Sequence, residues 1–247
     1  LQSLPRHLRE RMLDGRFLAA LEDDMMQCIP SDWVKAAQER WVAGQDIHRM
    51  TAMGVDPSRG GMDEMVIATR HGNWFAKLIK IPGVEVPNGP LAAARVVMAR
   101  RDVARVYLDV IGIGGSVYDK LIENDIDVEP MIGNAGTDEK SRDGRFDFRN
   151  VRALWYWRMR EALDPESGNN ISLPPDEKLK QDLTAFTYRV NDGKVIQVES
   201  KADVKIRIGR SPDAGDAVVY ANAHNPNVHD FRRANRGTGF KTKRAIR

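Results

Sequence analysis

The most constraining feature of the sequence is the stretch at residues 52–63, AMGVDPSRGGMD, in which a short apolar run ends in an acid. Ala52, Met53 and Val55 have the pattern of a buried strand, and Asp56 comes directly before a turn signal of Pro, Ser, Arg and two Gly. A carboxylate at the inner end of a buried strand needs a cation or strong hydrogen bonds to stay ionised. The stretch therefore predicts a sheet with a charged site at one strand end.

Two later segments carry acids suited to the same site. Residues 105–113, RVYLDVIGI, form a nearly continuous apolar run around Asp109, which is typical of a central strand buried on both faces. Residues 211–221, SPDAGDAVVYA, predict a helix with Ser211 as its N-cap, and the spacing of three places Asp213 and Asp216 on one face. Two strands and a late helix, each with an acid, are what a two-metal phosphoryl-transfer site on a mixed sheet requires.

The order of the predicted elements indicates the fold class. Three strands come first and are followed by helix, strand, helix and strand, at residues 52–56, 65–70, 74–81, 88–101, 105–113, 117–124 and 127–132. This order favours an α/β fold with a ribonuclease H-like mixed sheet flanked by helices, because a doubly wound nucleotide fold would alternate from its start. Later, Asn191-Asp192-Gly193 lies between residues 184–190 and 194–199 and predicts a β-hairpin insertion.

Composition limits the function classes that fit this sequence. The chain has 247 residues, of which 42% are hydrophobic and 30% charged, as in globular proteins. It contains no apolar run near the roughly 20 residues of a membrane span, and no signal-peptide pattern, so we expect no membrane partner. A single cysteine, Cys28, indicates a reducing compartment. Because the chain begins at Leu1 rather than Met, we expect a fragment of a longer protein.

The charge is unevenly distributed and suggests three regions. The net charge is +3, yet residues 221–247 alone hold seven Lys or Arg and one acid, so the remaining body is slightly acidic. We interpret residues 1–49 as a helical linker, residues 50–222 as the core domain and residues 223–247 as a basic tail that is disordered in isolation.

With these motifs in hand, the chain resembles the C-terminal nuclease domain of the large terminase subunit of tailed bacteriophages. The resemblance covers about residues 4–221 and is carried by GVDPSRGG at 54–61, YLDVIGIGGSVYDKL at 107–121 and ESKADVKIRIGRSPDAGDAVVYA at 199–221. Any one of these motifs alone would be weak, and their combination in this order is specific. The helical segment at residues 4–41 also looks like the family's passage from its motor domain to its nuclease.

The resemblance implies a metal-dependent endonuclease that cuts concatemeric viral double-stranded DNA during genome packaging in the host cell cytoplasm. Its partners would be DNA, the terminase motor domain and small subunit, and the portal or procapsid. The resemblance maps the metal-site acids onto Asp56, Asp109 and Asp216, with Asp213 as a neighbour. The chain departs from the full family pattern because it has no G-x-x-x-x-G-K-[ST] sequence, so we expect no ATP site in it.

The chemistry of the acids fits this interpretation. Carboxylate oxygens are the ligands that Mg²⁺ and Mn²⁺ prefer, and two such ions about 4 Å apart activate a water and stabilise the leaving oxygen of a phosphodiester. A lone acid at a strand end more often caps a turn. Here three acids occur in this order together with the motif match, so we expect metal ligands instead. Asp63 and Glu64 follow Asp56 closely, and we expect them on the turn surface.

Three further features have both a functional and a structural interpretation. The glycines after Asp109 lack the third glycine of a dinucleotide loop, so we expect them to make room beside the site. His224 and His229 lack the spaced partners of a zinc site. The aromatic run at residues 155–157 could stack on bases, but core packing is the stronger expectation because consecutive helix residues cannot share one face.

A basic run precedes the last acid and gives the predicted DNA contacts, Lys201, Lys205, Arg207 and Arg210. Such residues would bind phosphates and position DNA without reading sequence, and a solvated helix face is the alternative. No base-reading motif is visible, so we expect little sequence preference. Two other functions remain open at this point: a Holliday-junction resolvase-like nuclease, and a non-catalytic DNA- or portal-docking module.

Overall fold

The computed structural model describes residues 26–58, 60 and 63–224. The predicted elements before residue 26 and the predicted tail beyond residue 224 lie outside this range. The strands are, in chain order, Ala52–Asp56 (β1), Glu64–His71 (β2), Trp74–Phe75 (β3), Ile79–Pro82 (β4), Arg105–Asp109 (β5), Val128–Met131 (β6), Asp147–Phe148 (β7), Tyr188–Asn191 (β8) and Val195–Val198 (β9). The α-helices are Ser31–Glu39 (α1), Gly89–Ala99 (α2), Gly114–Glu123 (α3), Val151–Leu163 (α4), Glu177–Thr184 (α5), Lys201–Ile208 (α6) and Asp213–Ala223 (α7). Within the described residues, no helix has the length and apolar character needed to cross a membrane.

The main sheet is mixed, as the element order predicts. β1 pairs antiparallel with β2 and parallel with β5, and β5 pairs parallel with β6. β3 and β4 both pair with the outer edge of β2. Helices α2 and α3 provide the crossovers that the parallel neighbours need. The α/β fold with a ribonuclease H-like mixed sheet and flanking helices is therefore confirmed.

The third predicted strand, at residues 74–81, is interrupted. Phe75 pairs with Arg70, and Ile79 pairs with Ile67. The outer segment therefore advances by four residues between these two pairs, while β2 advances by only three. One extra residue in the outer chain is a β-bulge, which divides the strand into β3 and β4. The periodicity predicts the pairing correctly, but it does not reveal the bulge.

The predicted hairpin insertion is present as β8 and β9. Asp192 and Gly193 both have positive φ, 48° and 72°, as a type I′ turn requires. β7 joins β9 in parallel, which gives a small three-stranded sheet beside the main one. The hairpin therefore stands next to the start of α6, which follows β9 directly.

The two faces of the main sheet are covered differently. Met53 and Val55 of β1 belong to a core packed by α2 and α3. The alternate positions face the other side, where α7 packs across β1 and β2. This alternation places Asp56 on the α7 side of the sheet.

Gly54 sets the distance between β1 and α7. A Cβ added at Gly54 would lie 1.9 Å from the carbonyl oxygen of Ala217 and 2.6 Å from the amide nitrogen of Ala221. Both atoms are backbone, so neither can move away as a flexible side chain could. The absence of a side chain at Gly54 therefore lets the helix with two of the acids approach the strand with Asp56.

We expect the Gly54→Ala variant to lose about 1–3 kcal/mol or more of unfolding free energy, because overpacking against fixed backbone forces the layers apart. Gly136→Ala is the matched control, since a Cβ there meets nothing within 4 Å, and it should change stability by no more than about 0.5 kcal/mol. Urea unfolding followed by circular dichroism measures both. Equal stability of the two variants would contradict the close approach.

The helices outside the main sheet complete the core on the α7 side. Trp155, Tyr156 and Trp157 of α4 are all buried there, which confirms the core interpretation of the aromatic run. Cys28 and Val34, from the region predicted as linker, belong to the same buried cluster. The domain boundaries at residues 49 and 222 remain predictions, although the described part of the first region packs into the core.

Candidate metal centre

Parallel pairing brings two of the predicted acids to one edge of the sheet. Val55 of β1 is in register with Leu108 of β5, and Asp56 and Asp109 are the next residues of these strands. Both acids are buried, with 6% and 7% of their surface exposed. Ends of adjacent parallel strands thus place the two carboxylates side by side, as the sequence predicts.

Helix α7 supplies the other two acids. Asp213 and Asp216 lie in its first turn, where the positive end of the helix dipole favours negative charge. Asp216 is fully buried and Asp213 is 7% exposed. Two acids from strands and two from one helix therefore meet in a space that excludes most water.

Lys201 lies in the middle of this acidic cluster. Its Nζ is 2.6 Å from Asp56 Oδ2, 2.7 Å from Asp216 Oδ2 and 3.4 Å from Asp213 Oδ1. Lys201 is predicted to bind DNA, whereas in the structure its ammonium group contacts three carboxylates. The ammonium group marks a position at which these oxygens hold a cation.

The acids differ in how easily they ionise. Burial raises the pKa of Asp56 well above its usual value, and the charges of Asp216, Asp213 and Asp109 add to the rise against the opposing effect of Lys201. Burial alone would also raise the pKa of Asp216, but Lys201 and Arg152 outweigh it and hold this pKa below its usual value. Of these two acids, Asp216 is the more readily ionised, and Asp56 is the one that burial and the neighbouring carboxylates oppose.

The Lys201 side chain remains charged in this environment. Burial would lower the pKa of its ammonium group, but Asp216 and Asp56 outweigh that effect and raise it well above its ordinary value. The acidic cluster is therefore compensated by a permanent positive charge.

Three residues that the sequence analysis did not identify as site residues hold the acids in place. The Tyr156 hydroxyl donates to Asp216 Oδ1 at 2.8 Å, and Arg152 Nη1 lies 3.5 Å from the same oxygen. The Tyr220 hydroxyl donates to Asp109 Oδ2 at 3.1 Å. Burial and the nearby Asp216 raise the pKa of Tyr156, so its hydroxyl keeps the proton that it donates. No local pattern in the sequence distinguishes these tyrosines from ordinary core residues.

The start of α7 is capped from another helix. Asp182 of α5 accepts hydrogen bonds from the amides of Ala214 and Gly215 at 3.0 and 3.2 Å, and it pairs with Arg210. These amides are among the donors that have no partner within the helix. The predicted cap at Ser211 is wrong, because its hydroxyl donates to the Asp213 carboxylate instead. Asp182 therefore positions the turn that carries the two helical acids.

The other basic residues assigned to DNA have partners within the chain. Arg207 contacts Glu199 at 2.6 Å and also the carbonyl of Ala185, and Arg210 pairs with the fully buried Asp182. Lys205 is 51% exposed and lies 3.5 Å from Asp63. Whether any of them binds DNA remains a prediction.

The structure also shows the surroundings of other residues near the predicted site. Asp63 is exposed, and Glu64 pairs with Lys178 at 2.6 Å, so neither joins the acidic cluster. A Cβ at Gly114 would meet the Asp109 carbonyl oxygen at 1.9 Å, which explains a glycine beside the site. His224 stacks on Tyr107, with ring centroids 5.3 Å apart.

The donor set fits a hard divalent cation, although it is not arranged as a finished metal site. Carboxylate oxygens from several elements, in a space with little water, are suited to Mg²⁺ or Mn²⁺. Among the described residues, however, no three acid, histidine or cysteine side chains are grouped as ready ligands. Lys201 contacts the oxygens that would bind the ion, so a metal would compete with its ammonium group.

Comparison with known proteins identifies the fold. No protein-family model matches the chain, and the search of curated proteins gives no match. Among solved structures, the nuclease domain of the large terminase subunit gp2 of bacterial virus Sf6 is similar with a TM-score of 0.61 and 20% identity, over 81% of this chain and 100% of that domain. A mutant of that domain with calcium has the same values, and one with manganese and beta-thujaplicinol has a TM-score of 0.60 at 20% identity and the same coverage. The chain therefore has the fold of a phage terminase nuclease domain, which confirms the resemblance at the level of structure.

Proposed function

We propose that the chain is a divalent-metal-dependent endonuclease that cuts concatemeric viral double-stranded DNA during phage genome packaging. One observation carries the proposal: carboxylates from β1 and α7 converge on a single cation position, held here by Lys201. The fold shared with the Sf6 nuclease domain supports the same function. Since no base-reading motif is visible, the enzyme cuts with little sequence preference.

In this proposal Asp56, Asp109 and Asp216 hold the metal, and Asp213 assists them. Two bound Mg²⁺ or Mn²⁺ ions would supply an activated water and stabilise the leaving oxygen of the phosphodiester. The chain's own groups orient the ligands, since Tyr156 fixes the Asp216 carboxylate and Tyr220 fixes that of Asp109. Burial of the cluster limits the access of bulk water to the four acids.

Lys201 compensates the acids in the absence of metal. Its ammonium group can leave the cluster because the side chain is long and 25% of its surface is exposed. Once outside the cluster, this cation would be available to a DNA phosphate, which reconciles its predicted DNA role with its observed position. Lys201 would then have a role in both states, compensating the acids without metal and contacting DNA once metal is bound.

The biological setting follows from the same proposal. Residues 1–49 would connect the nuclease to the terminase motor domain, and residues 223–247 would form a basic tail. The small subunit and the portal or procapsid would be further partners, in the host cell cytoplasm. This chain would depend on that motor for DNA movement.

A second candidate is a non-catalytic DNA- or portal-docking module. It is favoured by Lys201, because an ammonium group that already compensates the acids stabilises the fold without any metal. In that case the acids would be a structural network. The two candidates differ in whether divalent cations bind at all.

Plasmid cleavage and metal titration separate the two candidates. We expect nicking and linearisation of supercoiled DNA with Mn²⁺ or Mg²⁺ and none with EDTA, together with saturable Mn²⁺ binding in calorimetry. An Asp56→Asn preparation purified in parallel excludes a contaminating nuclease. Absence of both cleavage and metal binding would reject the endonuclease and leave the docking module.

A further inference from the structure

A groove of about 520 Å³ lies along the β8–β9 hairpin, beside the acidic cluster. Its walls come from the turn after β5, the loop after β6, the start of α4, the hairpin and the start of α6. The side chains that give the groove its chemical character belong to Ile111, Asn134, Arg152, Arg189, Gln197 and Lys201. The proposed nuclease function assigns no role to this space.

The groove and the acidic cluster share two cationic side chains. Lys201 and Arg152 line the groove, and each also contacts Asp216. A chain of phosphates lying in the groove would therefore come close to the carboxylates. The groove adjoins the acidic cluster through these two side chains, and the four acids themselves do not line it.

Arg189 gives the groove a cation that no acid neutralises. Its Nε and Nη2 lie 3.2 and 2.9 Å from Gln197 Oε1, which belongs to a neutral amide. In the described part of the chain, no acid lies within salt-bridge distance of Arg189. Of the two acids in the wall, Glu199 is paired with Arg207, and Asp203 accepts from the Ser200 hydroxyl. A phosphate is the complementary ligand for such a guanidinium group.

The size and lining of the groove favour one nucleic-acid strand over a duplex. Its volume lies within the roughly 300–1,000 Å³ of pockets for small organic ligands, so its interior holds nucleotide-sized groups and not the full width of a double helix. Asn134 offers an exposed amide, and Ile111, 62% exposed, offers an apolar surface for a base. A positively charged groove that tracks the backbone is one part of sequence-tolerant single-strand sites. The aromatic platform usual in such sites is replaced here by the apolar surface of Ile111.

We propose that this groove binds a single-stranded DNA segment continuous with the phosphate that the acids cut. The inference rests on the proposed nuclease function and specifies its substrate: DNA whose strands are locally separated beside the cutting site. Arg189 binds a phosphate of that segment, and Gln197 holds the Arg189 side chain in place.

Fluorescence anisotropy with EDTA present tests the groove independently of cleavage. The full 247-residue chain is titrated with a labelled single-stranded oligonucleotide and with a blunt duplex of the same sequence. We expect Arg189→Gln to bind the single strand about threefold to tenfold more weakly, with the salt slope reduced by about 0.7, and to bind the duplex as the wild type does.

Two further variants test whether the loss of single-strand binding is specific to Arg189. Lys194→Gln is the matched control, because Lys194 lies in the same hairpin region, is 64% exposed and pairs with Asp147 outside the groove. It should leave single-strand binding unchanged. Gln197→Glu keeps the side-chain shape and gives Arg189 an acidic partner, so it should weaken single-strand binding while Arg189 remains in place.

Each outcome decides the proposal. Wild-type affinity in Arg189→Gln, or an equal loss in Lys194→Gln, overturns it, as does an equal loss for the duplex. Loss of single-strand binding in a chain that shows no metal-dependent cleavage would support the groove and reject the nuclease function. Cleavage by the wild type with unchanged binding in Arg189→Gln would support the nuclease and reject the groove.

Discussion

In the absence of metal, the Asp216→Asn variant should lose about 3 kcal/mol of unfolding free energy. Its DNA cleavage in the presence of metal should also fall. Asp216 is fully buried and is the ionic partner of both Lys201 and Arg152, with a hydrogen bond from Tyr156. Breaking a buried ion pair typically costs about 3–5 kcal/mol because a charge stays behind uncompensated. The lower end applies here, since Lys201 retains its 2.6 Å contact with Asp56.

Urea unfolding at neutral pH with EDTA measures this loss. Asp213→Asn is the comparison on the same helix, and it should cost clearly less because Asp213 lies 3.4 Å from Lys201 and has no contact with Arg152 among the described ion pairs. A larger loss in Asp213→Asn than in Asp216→Asn would mean that the wrong helical acid has been placed at the centre of the cluster.

The Asp56→Asn variant should lose cleavage activity without the loss of stability expected for Asp216→Asn. We expect its cleavage to fall at least about 100-fold, because the proposed role of Asp56 is that of a direct ligand, and loss of the residues that merely support ligands already costs about 10–100-fold. Its unfolding free energy should stay within about 1 kcal/mol of the wild type, or rise. The reason is that Asp56 is buried among three other carboxylates, which raise its pKa, so a neutral amide removes a repulsion.

Plasmid cleavage with Mn²⁺ and urea unfolding with EDTA should be run on the same preparations. Asp63→Asn is the matched control, since Asp63 follows Asp56 closely, is exposed and lies 3.5 Å from Lys205. It should cleave as the wild type does. If Asp56→Asn cleaves normally, or if it loses several kcal/mol of stability, Asp56 is a structural acid and the metal-site assignment fails.

Much of the site could be predicted because it rests on local rules. Asp56 and Asp109 end two apolar runs, and parallel strands bring such ends to one edge of a sheet. Asp213 and Asp216 follow from helical spacing. Arg152 and Tyr156 could not be recognised, because a polar side chain on a buried helix becomes a site residue only through the element that it faces.

Lys201 occupies a position that its sequence pattern does not predict. In sequence it is the first member of a basic run, which usually indicates an exposed face. In the structure Lys201 begins α6 at the point where the hairpin returns to the main sheet, and its side chain enters the acidic cluster. A run of basic residues predicts an exposed basic surface only where the fold leaves those side chains in contact with solvent.

The strand and helix order, the mixed sheet, the hairpin and the four acids follow from the sequence, because propensity, turn chemistry and periodicity act over a few residues. The tertiary structure decided which charges meet. Gly54 allows α7 to contact β1, Asp182 caps α7 from another helix, and Lys201 compensates the acids. These contacts join residues that lie far apart in the chain, and burial makes them energetically decisive, since in a space with little water each carboxylate must find its partner within the fold.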